Sequence, residues 1–282
     1  MFYYIYSMYK HYRFVLLFLF HVQIIHAQGY LPMGARSNSL ANASVTLPDA
    51  WAFHNNPGAL GEVKTMSIGL SYENRFLLKQ LQTQGVVYAQ PLKVGVISVG
   101  AQFYGYKQFR TQRIGAGYSM KLAKFLFAGV QLNYQGVTLN ENYGSHHSIS
   151  AEAGVQALIS EKWRIGVSVY NIGRAKLSAF ENDRYTTVMR LGTSYTISDK
   201  VIIMAEAMKH VDHKIDFKGA VEYQAFKNFF LRVGAASAPV EFTFGFGYKW
   251  KVLQVDVGTG YNQQLGWSPN FSLTYIANKK ND

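Results

Sequence analysis

From Lys214 to Phe226 the chain reads KIDFKGAVEYQAF. One alternating set is Ile215, Phe217, Gly219, Val221, Tyr223 and Ala225. The other is Lys214, Asp216, Lys218, Ala220, Glu222 and Gln224, charged at four of its six positions. A period of two predicts a strand whose two faces meet different surroundings. By itself this allows a soluble sandwich, with the apolar face turned into a core, or a membrane barrel, with the apolar face turned out into lipid. Downstream of residue 63 similar segments recur every ten to thirteen residues. No helical pattern intervenes that could cover the apolar faces. The pattern therefore predicts an all-β fold, a transmembrane antiparallel β-barrel with lipid outside and a polar lumen.

Strands are predicted near 64–73, 80–90, 94–106, 109–120, 126–139, 147–159, 163–172, 185–197, 201–210, 214–226, 229–238, 241–250, 253–263 and 269–277. That makes about fourteen, an even number, as single-chain bacterial barrels require. Links after even-numbered strands are short and carry Lys, as at Lys93, Lys124, Lys162, Lys200, Lys227 and Lys251. The two longest links, around Asn140–His146 and Gly173–Arg184, follow odd-numbered strands. Short periplasmic turns opposite longer outer loops give this asymmetry. Aromatics near strand ends, among them Tyr72, Tyr104, Tyr134, Trp163, Tyr170, Tyr195, Trp250 and Trp267, fit interface girdles.

Residues 28–63 differ. They are rich in Gly, Ala, Asn, Ser and Pro and hold no sustained period, yet they carry Leu31, Met33, Leu40, Leu47, Trp51 and Phe53. A segment this apolar must pack against something, and the lumen is the cavity on offer. A helical turn is expected at Asp49–Asn55, with Asp49 as its cap. The expected organisation is a signal peptide over 1–27, an N-terminal hatch over 28–63, the barrel over 64–277 and a polar tail over 278–282.

Composition changes the picture in three ways. With 16% charged residues and a mean hydropathy of −0.05, the chain is too polar for a helical membrane protein. The absence of Cys excludes a disulfide scaffold and a thiolate metal site. The basic Lys10, His11 and Arg13, the apolar Phe14–Phe20 and the small Ala27 read as a secretory signal, with Met8 an alternative start. Export followed by amphipathic strands places the chain in the outer membrane of a gram-negative cell. Removing Lys10 and Arg13 takes the net charge from +12 to +10. The basic excess is read as turn, interface and lumen chemistry, since an exported barrel meets no nucleic acid.

Candidate chemistry is sparse. His210-Val211-Asp212-His213 and His146-His147 read as solvated loops, not metal ligands. Ser44, Asp49 and His54 hold the letters of a hydrolase triad without a Gly-x-Ser-x-Gly elbow. No enzyme, cofactor or metal site is expected. Arg110, Arg113, Glu152, Arg190, Glu206, Lys218, Glu222 and Arg232 are expected to face the lumen, either as a wall-to-hatch salt network or as a polar translocation path. Asn55, Asn56, Pro57 and Gly58 form a turn in the hatch, structural or gating.

The stretch Gly34-Ala35-Arg36, Leu40 to Val45, Asp49-Ala50 and Asn55 to Leu60 resembles the N-terminal hatch of the FadL-like outer-membrane superfamily. That superfamily carries an Asn-Pro-Ala-like turn, and Gly58 departs from it. Arg164 to Gly173, Arg190-Leu191-Gly192, Phe244 to Gly247 and the closing Gly266 to Tyr275 resemble the PorV/PorQ branch, PorQ more closely. The resemblance runs from 29 to 277. It implies a fourteen-stranded barrel and a non-enzymatic accessory or partner-binding role in type IX protein secretion. The implied partners are outer-membrane lipid, secretion-system subunits or secreted cargo. The alternative it implies is a FadL-like channel for a hydrophobic small molecule.

Overall fold

The structure is a computed structural model that describes residues 30–139, 144–177, 183–211 and 213–278. The expected signal peptide, Asp212 and most of the polar tail lie outside the described residues. Fourteen strands run β1 (Ser67–Asn74), β2 (Gln82–Pro91), β3 (Val96–Gly105), β4 (Phe109–Ala123), β5 (Leu126–Leu139), β6 (Ser145–Leu158) and β7 (Trp163–Tyr170). They continue as β8 (Val188–Ser198), β9 (Val201–His210), β10 (Asp216–Phe226), β11 (Phe229–Ser237), β12 (Val240–Trp250), β13 (Leu253–Asn262) and β14 (Gly266–Ile276). Each pairs antiparallel with its neighbours, and β1 meets both β2 and β14, so the sheet closes on itself. Among the described residues no helix is long and apolar enough to cross a membrane.

The two faces invert the order of a soluble protein. Along β10, Asp216, Lys218 and Glu222 are buried inside the ring, whereas Phe217, Val221 and Tyr223 are exposed. Phe217 is 62% exposed and Glu222 only 4%. Every strand pairs with both neighbours, with one partial ladder between β6 and β7, and this lets the outer face tolerate lipid, where unpaired amides are costly. The alternation places polar side chains inward, where they need partners.

Residues 30–63 supply those partners. They lie within the ring as α1 (Ala35–Asn38), α2 (Ala52–Asn55) and a 3-10 turn over Pro57–Glu62. The expected turn at Asp49–Asn55 is shorter, but Asp49 Oδ1 does accept from the Trp51 amide at 3.0 Å. Met33, Trp51, Phe53, Ala59 and Leu60 pack on Val87, Ala89 and Val96 of the wall. Leu40, Ala43 and Leu47 pack on Met204 and Ala220.

Two strand predictions need correction, for one reason. Expected to reach residue 172, β7 stops at Tyr170, and the next strand starts at Val188 instead of 185. Asn171 (φ 55°) and Arg174 (φ 50°) adopt the left-handed conformation, which Asn tolerates well and which ends a strand. Fully buried Asn171 holds the bend: its Nδ2 donates to Tyr185 O (2.7 Å) and its Oδ1 accepts from the Ala175 amide (2.9 Å). Tyr170, expected in a girdle, turns inward at 2% exposure.

Candidate functional site

The lumen is the natural place for a site, and the N-terminal segment is locked into it at two levels. At β8 and β9, Arg190 donates to Glu206 through Nε (2.6 Å) and Nη2 (2.9 Å). Its remaining donors reach Asn55 O (2.9 Å), Asn42 O (2.8 Å), Ser44 Oγ (3.1 Å) and the Tyr30 hydroxyl. Glu206 Oε2 also accepts from the Val45 amide at 2.9 Å. A planar guanidinium with five fixed donors suits a site with this many acceptors, and a lysine would leave several unmet.

The second level runs through Arg36. It forks onto Glu222 (2.6 and 2.9 Å) and reaches Asp49 at 3.1 Å. Glu222 accepts from Arg232 (2.6 Å), which donates on to Asp256 (2.7 Å). Charges alternate along this chain from hatch to wall, so no buried ion is left without an opposite neighbour. A further cluster lies within the wall itself: Arg113 pairs with Glu152 (2.8 Å), which also accepts from Asn133 (2.6 Å). Arg113 lies 5.2 Å from the Tyr170 ring centroid.

The turn Asn56-Pro57-Gly58 seats directly on the wall. Ser119 Oγ donates to Pro57 O (2.6 Å), and Asn56 Nδ2 donates to Val45 O (2.6 Å). Its backbone rests on Gly129 and Gly154, where any Cβ would overlap Pro57 O and Asn56 Oδ1. A Cβ on Gly58 would come within 2.6 Å of the Gly154 backbone. This is why position 58 takes Gly and leaves no room for Ala. Neighbouring Asn55 donates through Nδ2 to Met33 O at 3.3 Å.

Of the expected lumen residues, Glu152, Arg190, Glu206, Lys218, Glu222 and Arg232 are buried, but they form separate clusters, not one path. Lys218 lies 3.7 Å from Asp216 and 3.5 Å from Met208 Sδ. Arg110 is corrected: it is exposed near the outer end of β4, on the opposite face from Arg113. Phe109 is the side chain that turns inward there. Sequence reading missed Asp256, although Gln254 and Asp256 alternate with Val255 and Val257, and it missed Arg36 and Tyr30. The latter two sit in the aperiodic segment, where no face can be assigned. Ser44, Asp49 and His54 go to different partners. His54 is buried against Val86 O at 3.4 Å, and desolvation with the nearby Arg113 charge pushes its pKa down to about 3.

The wall itself is notched. β6 has 14 residues and β7 has 8. Their ladder covers only Ala153–Leu158 of β6, and one further bond joins the Ile172 amide to Ala151 O (3.0 Å). Among the described residues, Ser145–Ser150 has strand partners on its β5 side only. Six residues make roughly 20 Å of open edge. Ile149, paired with Tyr134 of the outer girdle, is 72% exposed there. The described parts of the following link are residues 171–177 and 183–187. They fold inward, with Leu177 and Tyr185 packed on Val137, Phe109 and Ala175 at the mouth of the lumen. An apolar cluster thus lies just inside a break in the wall that opens at the level of the outer leaflet.

No protein-family model and no curated protein sequence matches this chain. Solved structures do. The CymD monoaromatic hydrocarbon channel superposes with a TM-score of 0.72 at 12% identity, over 90% of this chain and 100% of that one. The toluene transporter TodX of P. putida gives 0.68 at 10%, over 90% and 100%. A Pseudomonas aeruginosa FadL homologue gives 0.62 at 10%, over 89% and 98%. At such identities the likeness establishes architecture alone. The chain therefore has the fold of the FadL-like outer-membrane channels, a closed fourteen-stranded antiparallel barrel.

Proposed function

We propose that this chain is an outer-membrane channel for a hydrophobic small molecule. The molecule collects in the apolar mouth around Val137, Leu177 and Tyr185. It then leaves sideways through the notch between β6 and β7, and so avoids the polar lumen below. The observation that carries this reading is that notch, with an apolar cluster directly behind it. A charged or strongly hydrated solute would gain nothing from such a route, since it would desolvate against Leu and Val without partners. The similarity to structures titled as hydrocarbon channels and a toluene transporter supports the substrate class.

A second reading has its own support. The plug is held by two clusters of buried ion pairs, and most outer links are short. A closed, plugged barrel suits a partner-binding accessory of type IX secretion in the PorV/PorQ manner, as the sequence resemblance implies. Deleting the gene and measuring two outputs separates them. The channel reading expects uptake of a monoaromatic tracer to fall, while cargo with C-terminal sorting domains still reaches the surface. Retained uptake with lost surface cargo would overturn it in favour of the secretion role.

A further inference from the structure

The side opposite the notch carries a feature that neither reading uses. Each of the six short links on the periplasmic side holds an exposed lysine: Lys93, Lys124, Lys162, Lys200, Lys227 and Lys251. None of them makes an ion pair with any described residue. Acids occur in only two of these links, Glu161 and Asp199, each beside its lysine. In five of the six, the lysine directly adjoins an exposed large apolar side chain: Leu92, Phe125, Trp163, Phe226 or Trp250. Cation beside apolar surface is the composition of a bilayer interface, where the stem buries and the ammonium stays at headgroup level.

The feature is strongest at one place. Phe226, Lys227, Asn228, Phe229 and Tyr248 line a shallow groove of about 470 Å³. Among the described residues Phe226, at 74%, is the most exposed of the large hydrophobic side chains. The Lys249 amide donates to Asn228 O at 2.9 Å, so two basic hairpins abut here. Lys251 stands 5.7 Å from the Trp250 ring centroid. Above the groove, Tyr248, Phe246, Phe244 and Phe242 run up the outer face of β12 in unbroken succession.

We propose that this groove binds an anionic phospholipid of the periplasmic leaflet. The phosphate sits between Lys227 and Lys251, the latter held over outward-facing Trp250, Asn228 donates to it, and an acyl chain lies along the aromatic column of β12. The lysines are spread around the whole rim, one per link, and are interleaved with lipid-facing side chains. An acidic protein would call for one contiguous patch. Lipid also supplies what the column needs, a long flexible apolar chain next to a negative head.

The test uses the full chain purified in dodecyl maltoside, titrated with phosphatidylglycerol or phosphatidylcholine, with bound lipid counted by native mass spectrometry. Phosphatidylglycerol should bind more tightly by at least about tenfold. Lys227→Gln with Lys251→Gln should weaken it by about fivefold per lysine, given the usual attraction of one basic residue to an anionic surface, and leave phosphatidylcholine unchanged. Lys79→Gln with Lys107→Gln, on the outer side, should change neither. Equal affinity for the two lipids, or an unaltered phosphatidylglycerol affinity in the Lys227/Lys251 variant, overturns the proposal. So does displacement of the lipid by an equimolar poly-glutamate peptide, which would mark the rim as a surface for acidic protein.

Discussion

Arg190 offers the sharpest test of how the N-terminal segment is held. Replacing it with Ala removes two bonds to Glu206 and leaves that carboxylate buried at 4% exposure without a hydrogen-bonded cation, its cross-strand neighbour Lys218 pairing with Asp216 instead. It also strips the acceptors Asn42 O, Asn55 O and Ser44 Oγ of their donor. Breaking a buried pair by removing one partner typically costs about 3–5 kcal/mol. Taking the lower figure, the undocked population of the segment should rise by on the order of a hundredfold, at about 1.4 kcal/mol per factor of ten. The chain has no Cys, so Thr46→Cys, buried at 2%, gives a single reporter within the segment. Its modification by a membrane-impermeant maleimide at pH 7.5 tracks the opened fraction when opening is fast relative to labelling. We expect the Arg190→Ala background to label about a hundredfold faster than the parent. Arg190→Met with Glu206→Leu should recover at least about tenfold of that, because an apolar pair leaves no stranded charge. Recovery stays partial because the Val45 amide loses its acceptor. Labelling of Arg190→Ala at the parental rate would refute the idea that this cluster holds the segment in place.

Three further outcomes follow from the same geometry. Deleting residues 30–62 should raise single-channel conductance in planar bilayers, and an unchanged conductance would show that the segment does not seal the lumen. Gly154→Val forces a side chain into Asn56 and the Gly58 amide. It should raise Thr46→Cys labelling at least about tenfold, whereas Gly219→Ala, with open space at its Cβ, should leave it unchanged. His54 is held neutral, with a folded pKa near 3 against an ordinary 6.5. The native state therefore excludes a proton that the open state takes up. Stability is complete above about pH 6.5 and falls by up to about 1.4 kcal/mol per pH unit as pH drops toward 3. Guanidinium midpoints should show that slope in the parent and a shallower one in His54→Gln.

The barrel was legible because its strands answer to one rule. Alternation in KIDFKGAVEYQAF assigns Asp216, Lys218 and Glu222 to one face whatever they touch. The same rule placed Glu152, Arg190, Glu206 and Arg232 inward. It misplaced Arg110, because a phase carried to the last residues of a strand is easily slipped by one, and such a slip exchanges Phe109 with Arg110. The pairings stayed hidden for a different reason. Arg36 and Tyr30 lie in a segment without a period, so nothing local says that one meets Glu222 and the other Arg190. The notch was hidden too, because it depends on Asn171 adopting a left-handed conformation inside what reads as a continuing apolar strand.

The contacts of the N-terminal segment also dictate an order of assembly. Arg36 meets Glu222 across 186 residues, the Ala41 amide meets Thr243 across 202, and the Ala35 amide meets Ser272 across 237. The segment translated and exported first thus has several of its polar partners in strands that arrive late. Until β10 and the strands after it are in place, the guanidinium of Arg36 and the apolar Leu40 and Leu47 must wait in the periplasm, unmatched. Contacts this distant in sequence form slowly, since the closure entropy is spent before they are made. Ring closure and plug insertion are thus one late event, and a chain truncated before β13 would lose the seat of its N-terminus together with its last strands.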